Sequence, residues 1–245
     1  MTSDQYLTTN RNTARWVGAL FLISYAGVFI GNAISSAVID KADYLFTAYP
    51  DRGQVTAGVV IELFNDIAVV GIAVLLYPLL RRFSEGVALW YVGLRVLEAA
   101  FLMMAKVSTL SIIDLSEDFL AGGAVDEALY DGLGTLALAS RDAAGQMGVY
   151  AFLVGGVALY YLLLRSELVP RFISIWGLLA IASLATANLF AVPDLTQSFE
   201  LAMVLYLPIV ANELFLAGWL LVKGFSTKPV DVQSEGRDRT YAGSV

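Results

Sequence analysis

The sequence lacks cysteine and histidine altogether, and the two absences remove whole classes of chemistry. Without cysteine there are no disulfides, no thiolate metal ligands and no thiol redox reactions. Without histidine there is no imidazole to ligate haem, zinc or copper, and none to act as an acid or base near neutral pH. Proton chemistry in this chain therefore depends on Asp, Glu, Lys, Tyr or water, and we expect neither a metal nor a cofactor.

Charged residues are also scarce. They make up 15% of the 245 residues, against roughly 25% in a typical globular domain. The net charge of −7 argues against nucleic acid as a partner, because phosphate binding needs a basic surface. Hydrophobic residues reach 58%, and the mean hydropathy is +0.70. Stretches of 20 or more residues are nearly free of charge, which predicts membrane-spanning helices.

Six such stretches predict six spans, at about 16–38, 54–80, 87–113, 143–164, 172–192 and 201–222. Open strands cannot satisfy their backbone in lipid, so the predicted fold class is all-α, a polytopic transmembrane helical bundle. We divide the chain into a polar N-terminal segment (1–14), a six-span domain (15–224) and a disordered tail (225–245). The stretch 125–140 fits either a surface helix or an extension of the fourth span.

The orientation follows from the distribution of Lys and Arg. With the N-terminus inside, the inner side carries ten of these residues and the outer side three. An even number of spans puts both termini in the cytoplasm, and we expect a multi-pass protein of the plasma (inner) membrane. Residues 114–142 would then be accessible from outside, Ser116 among them. Trp90, Tyr160 and Tyr161 lie near the inner ends of their spans, where an interfacial aromatic belt is expected.

Six ionisable residues lie inside the predicted spans, where a charge is costly and needs a partner or a function. Helical spacing puts Glu62 and Asp66 on one face of span two, and it lets Arg95 and Glu98 meet on span three. These spacings allow one polar seam between spans two, three and six. The polar seam comprises Glu62, Asp66, Arg95, Glu98, Lys106, Glu213 and the neighbouring Asn212.

Buried ion pairs alone would account for part of the polar seam, with Lys106 paired to Glu62 and Arg95 paired to another of the acids. Four acids nevertheless face two bases, and two uncompensated negative charges in lipid are very expensive. Either some acids are protonated, or the seam admits water, a cation or a cationic ligand. The candidate ligand or proton site is therefore Asp66, Arg95, Glu98, Asn212 and Glu213, with Glu62 and Lys106 continuing the seam into the outer half of the membrane.

Four segments carry a resemblance to a known family. They are Thr13-Ala14-Arg15 at the start of span one, Asp66 with Leu75-Leu76-Tyr77 in span two, Leu94-Arg95 with Glu98-Ala99 in span three, and Asn212-Glu213-Leu214 through Trp219 to Gly224. Over roughly residues 11–224 the chain resembles the bacterial membrane family 4386 of domains of unknown function. The resemblance implies a polytopic bacterial membrane protein without an established activity. It also supports Arg95, Glu98 and Glu213 as family features.

Three functions fit these features. The acid excess favours a protein that handles a small molecule, a cation or protons. A membrane-embedded enzyme could instead use a buried Glu or Asp as a general acid on a lipid or isoprenoid substrate. A structural or accessory protein would use the charges only to hold helices together. Besides the lipid bilayer, the expected partner is a small hydrophobic or cationic ligand.

Overall fold

The structure, a computed structural model, describes residues 3–122, 127–189 and 199–226, with side chains at 11–122, 127–188 and 204–226. Within these ranges the chain forms seven helices and no strand. They are α1 Ser3–Ile39, α2 Tyr44–Thr47, α3 Arg52–Leu80, α4 Glu85–Ala121, α5 Glu127–Ser166, α6 Arg171–Leu189 and α7 Phe199–Val222. All except α2 are long and apolar enough to cross a membrane. The predicted all-α bundle with six spans is confirmed; the predicted tail from residue 227 onward lies outside the described residues.

The helix ends follow local sequence signals. Helix α3 ends at Leu80, directly before Arg81, and α6 begins after Pro170, because proline fits the start of a helix. Helix α4 continues to Ala121, well past the predicted end of its span at 113. Helix α5 runs unbroken from residue 127 to 166. Residues 127–140 therefore extend the fourth span rather than forming a separate surface helix.

The six long helices form a closed ring. Each packs mainly against the helices next to it in the chain, and α7 returns to pack against α1. The order around the ring is therefore α1, α3, α4, α5, α6 and α7. Consequently α1, α4 and α7, which are far apart in sequence, can direct side chains into one shared interior.

Glycines allow α1 and α3 to approach closely. A Cβ added to Gly31 would lie 2.6 Å from the carbonyl oxygen of Gly58, and a Cβ added to Gly58 would lie 2.7 Å from the carbonyl oxygen of Gly31. A Cβ added to Gly27, one turn earlier on α1, would likewise lie close to the backbone nitrogen of Asn65. This GxxxG pair is thus used for packing within the chain, the role that small residues have between membrane helices.

Apolar residues fill the two ends of the ring, and the polar seam lies between them. The Arg81 end is the end at which the chain turns from α3 into α4 and from α5 into α6. The Lys41 end is the opposite end, at which the chain passes from α1 to α3. Leu80, Leu163 and Ile173 are buried at the Arg81 end, and Val38 and Ile112 are buried at the Lys41 end. The polar seam therefore lies between two apolar clusters.

The outer surface of the ring is apolar, the reverse of a protein that folds in water. Phe29, Phe64, Val107 and Leu179 each expose more than half of their surface. Within the spans of α3, α4 and α7, by contrast, the charged residues Asp66, Arg95, Glu98, Lys106 and Glu213 are buried. This distribution is expected when the surrounding medium is lipid, because ionisable side chains then turn toward the bundle interior.

The accessibility predicted for Ser116 is wrong, and only one of the two neighbouring tyrosines near the end of α5 faces outward. Tyr160 is fully buried, whereas Tyr161 is 42% exposed, because consecutive helical residues point about 100° apart. Ser116 is also fully buried. Its hydroxyl accepts the backbone N–H of Tyr49 at 3.0 Å and donates to the carbonyl of Leu45 at 2.7 Å. Ser116 thus anchors the segment around α2 onto α4.

Candidate functional site

An arginine cluster, formed by Arg95, Glu98 and Glu213, lies inside the ring. Arg95 Nη1 donates to Glu98 Oε2 at 2.9 Å and to Oε1 at 3.2 Å, one turn along α4. Arg95 Nη2 lies 3.8 Å from Glu213 Oε1 on α7. All three side chains are at least nine-tenths buried. The prediction that Arg95 contacts buried acids is confirmed, and one of those contacts bridges two helices.

Aromatic side chains surround the arginine cluster. The Tyr25 hydroxyl, on α1, donates to Glu213 Oε2 at 2.8 Å. The Arg95 guanidinium carbon lies 4.9 Å from the ring centre of Phe152 and 5.5 Å from that of Tyr91. Cations are attracted to ring faces at such distances, most strongly where water is excluded. Helices α1, α4, α5 and α7 therefore all contribute to this cluster.

Four buried polar atoms in and beside the arginine cluster have no hydrogen-bond partner of good geometry among the described residues. They are Arg95 Nε, Glu213 Oε1 and the hydroxyls of Tyr91 and Tyr160. Tyr91 and Arg95 interact with each other electrostatically and through a hydrogen bond looser than those described above, and Tyr160 interacts electrostatically with Glu213 and Arg95. Buried polar groups in native structures are paired in the large majority of cases, by protein or by ordered water. These four atoms are therefore the groups of this site that could form hydrogen bonds with ordered water.

A lysine cluster, formed by Lys106, Asp66 and Glu62, joins α4 to α3. Lys106 Nζ lies 3.0 Å from Asp66 Oδ2 and 3.5 Å from Glu62 Oε2. The Asp66 side chain has no exposed surface, whereas that of Glu62 is 17% exposed. The predicted pairing of Lys106 with Glu62 is confirmed, but Asp66 is the nearer partner. Asp66 thus belongs with Lys106 rather than with Arg95.

Helix α1 supplies hydroxyl groups around the lysine cluster. Ser35 Oγ donates to Glu62 Oε1 at 3.0 Å, and Ser24 Oγ donates to Asn65 Oδ1. Asn65 Nδ2 in turn donates to Asp66 Oδ1 at 3.3 Å. The acids of α3 are therefore held on one side by α1 and on the other by Lys106.

The two clusters have the same charge balance. Each contains one base and two acids, so each carries a net charge of −1 when every group is ionised. The charges of Glu98 and Asp66 are close enough to interact, so the two clusters lie within electrostatic range of each other. The polar seam predicted from the sequence is therefore present as two linked clusters, one between α4 and α7 and one between α3 and α4.

The family comparison covers both clusters. A family model described as Domain of unknown function (DUF4386) matches residues 16–224. The chain belongs to this family. No curated protein and no solved structure matches it. The DUF4386 region takes in all six spans, so the ring and its charged interior belong to the family domain.

Asn212 occupies a different part of the DUF4386 bundle from its neighbour Glu213. Its Nδ2 donates to the carbonyl of Ile173 at 3.0 Å, which ties α7 to α6. Its Oδ1 is buried and has no hydrogen-bond partner among the described residues, and the same holds for Ser174 Oγ. The structure therefore gives Asn212 a helix-joining contact and does not bring its Nδ2 to the acids of the arginine cluster.

Sequence reasoning missed the contribution of α1 to the DUF4386 site. Tyr25 contacts Glu213, and Ser24 and Ser35 bond to residues on α3. One signal was available, because Ser24 and Ser35 are eleven residues apart, about three helical turns, and so lie on one face. Tyr91 and Tyr160 carried no such signal, since aromatic residues are common throughout membrane helices.

Proposed function

We propose that this protein takes up and releases protons inside the membrane, with Glu213 as the exchanging group and water in the arginine cluster as the carrier. The observation that carries the proposal is the set of four unpartnered buried atoms around Arg95 and Glu213. This set of atoms favours a protein that handles protons, or a small cation in their place, over the enzyme and the structural protein that the sequence also allows.

The chemistry of the four atoms fits water. Arg95 Nε and the hydroxyls of Tyr91 and Tyr160 can donate hydrogen bonds, and Glu213 Oε1 accepts them. A buried water typically makes about three hydrogen bonds to groups that would otherwise be unsatisfied. An added anion is disfavoured because the cluster already carries more acids than bases. Water bound between these donors and Glu213 would place a proton carrier against a buried carboxylate.

The contacts of the two acids single out Glu213. Glu98 receives two hydrogen bonds from the positively charged Arg95, so protonating Glu98 would weaken both. Glu213 Oε1 has no hydrogen bond to lose, and its separation of 3.8 Å from Arg95 Nη2 is the longer contact. A proton on Glu213 Oε1 would remove the net charge of the cluster, which lowers the cost of burying it.

A structural function is the second candidate, and one observation favours it. Each of the six charges of the polar seam has an opposite charge within 4.0 Å. Such pairs can hold helices together without any exchange of protons. The two candidates differ in what they expect of Glu213→Gln, which keeps the size of the side chain and removes its ionisation.

The test is proton flux in proteoliposomes that contain the purified protein and a pH-sensitive dye. After an imposed potential, we expect wild-type vesicles to change internal pH faster than protein-free vesicles, and Glu213→Gln vesicles to match the protein-free rate. Glu127→Gln, at an exposed position in the first turn of α5, is the matched control and should retain the wild-type rate. Equal rates in wild-type and Glu213→Gln vesicles, with both proteins folded, would leave the structural function in place.

A further inference from the structure

A cavity of about 610 Å³ opens at the Arg81 end of the ring, away from the polar seam. It lies between the α5–α6 turn and the residues that follow α7, and Glu167, Arg171, Trp219, Lys223, Phe225 and Ser226 are among its walls. The Ser226 N–H donates to the Leu168 carbonyl at 2.8 Å, which fastens the two segments together. The cavity is therefore built by tertiary contacts and has the volume of a small-molecule site.

We propose that this cavity binds the phosphate headgroup of an anionic phospholipid. Its charged side chains are Glu167, Arg171 and Lys223, which sum to +1. Glu167 pairs with Arg171, whereas no ion pair of Lys223 is found in the part of the chain that the structure describes. A phosphodiester with one negative charge complements this balance, and basic side chains bind phosphate through charge-assisted hydrogen bonds.

The surroundings of the two basic residues distinguish a lipid from a soluble phosphate. Arg171 opens α6 and Lys223 follows the end of α7, so both lie at the same end of their spans. Their neighbours Phe172 and Val222 are 52% and 72% exposed and face outward with the apolar surface of the bundle. A phospholipid would place its charged headgroup against the two basic residues and its acyl chains along the apolar surface beside them. A soluble phosphate would contact only the basic residues.

Two further features fit a membrane boundary. Trp219 lines the cavity, and tryptophan is enriched where headgroups meet hydrocarbon. The Arg81 end is also the predicted cytoplasmic side, and the cytoplasmic leaflet carries the anionic lipids. The proposal does not depend on proton exchange at Glu213, because no residue of the polar seam lines this cavity.

The experiment measures lipids retained by the full chain after extraction from vesicles of equal phosphatidylglycerol and phosphatidylcholine, by native mass spectrometry. We expect the wild type to retain phosphatidylglycerol preferentially. In the double variant Arg171→Gln/Lys223→Gln the affinity for phosphatidylglycerol should fall by about tenfold or more, since losing one hydrogen bond between charged groups costs about tenfold. The double variant Arg81→Gln/Arg165→Gln removes two charges at the same end outside the cavity and should retain the preference.

Several outcomes would overturn the proposal. They are the absence of a phosphatidylglycerol preference in the wild type, an equal loss in the control variant, or full displacement of the lipid by millimolar glycerol phosphate, which would indicate a soluble ligand. If the first double variant fails to fold, Glu167→Gln provides the test. It raises the summed charge from +1 to +2 and should tighten phosphatidylglycerol binding by about fivefold. Unchanged or weaker binding in Glu167→Gln would equally reject the site.

Discussion

The ammonium of Lys106 lies 3.0 Å from the carboxylate of Asp66, a side chain with no exposed surface. The pair joins α4 to α3 across 40 residues of sequence. The positive charge of Lys106 compensates the negative charge of Asp66 in the middle of the bundle. Removing one partner of a buried pair is costly because the other charge stays buried. The lysine cluster therefore links the stability of the bundle to its charge balance.

Lys106→Met should lower the free energy of unfolding by about 3–5 kcal/mol, because it leaves Asp66 buried without its base. The double variant Lys106→Met/Asp66→Asn should recover much of that loss, since it removes both charges. Denaturant unfolding in detergent micelles measures the difference, and Lys41→Met, at an exposed position, serves as the control. A double variant that is less stable than Lys106→Met would contradict the ion pair.

Arg95→Ala should be similarly destabilising, by about 3–5 kcal/mol, because it strips Glu98 and Glu213 of their shared base. Arg141 offers the contrast. It also contacts two acids, Asp40 and Asp142, but on the surface of the bundle. Arg141→Ala should therefore cost only about 0–1 kcal/mol. If the two substitutions have equal effects on the unfolding free energy, the arginine cluster is not sequestered from water.

Gly31→Ala tests the close contact between α1 and α3. The new methyl group would meet the carbonyl oxygen of Gly58 at 2.6 Å and the backbone nitrogen of Glu62 at 2.7 Å, so the helices must separate. We expect a loss of about 1–3 kcal/mol, the usual cost of overpacking. Gly93→Ala, where nothing lies within 4 Å, should be neutral or should stabilise α4 by up to about 1 kcal/mol. Thermal unfolding of the two variants in the same detergent gives the comparison.

Single cysteines test the predicted orientation, because the chain has none of its own. Ser116 is unsuitable for this test because it is buried, so we choose the exposed positions Asp118 and Ser226. On intact cells, Asp118→Cys should react with a membrane-impermeant thiol reagent, whereas Ser226→Cys should react only after permeabilisation. Labelling in the reverse pattern would place the termini outside.

The sequence was sufficient to predict the spans and to indicate two of the ion pairs, Arg95 with Glu98 and Lys106 with Glu62, because these depend on local spacing and on the cost of charge in lipid. Arg95 and Glu98 meet because they are three residues apart on one helix. Glu62 pairs with Lys106 because the membrane interior contains few other bases. These conclusions needed no knowledge of how the helices are arranged.

The arrangement around the ring was not predictable in the same way. Whether Asp66 pairs with Arg95 or with Lys106 depends on the order and rotation of the helices. The contacts of Tyr25 with Glu213 and of Ser35 with Glu62 depend on α1 packing against both α3 and α7. Uncharged polar residues carry little penalty in a membrane helix, so their sequence signal is weak even when they complete a site.

The closure of the ring also has a consequence for how the protein is made. The helix that carries Arg95 and Glu98 enters the membrane while Glu213 has yet to be synthesised by the ribosome. During that interval Arg95 and Glu98 form a neutral pair, with one charge of each sign. The second acid of the arginine cluster arrives only when α7 inserts between α6 and α1. An unfinished chain in the bilayer therefore carries no excess acid at this cluster, and the proton exchange that we propose there would require the last step of assembly.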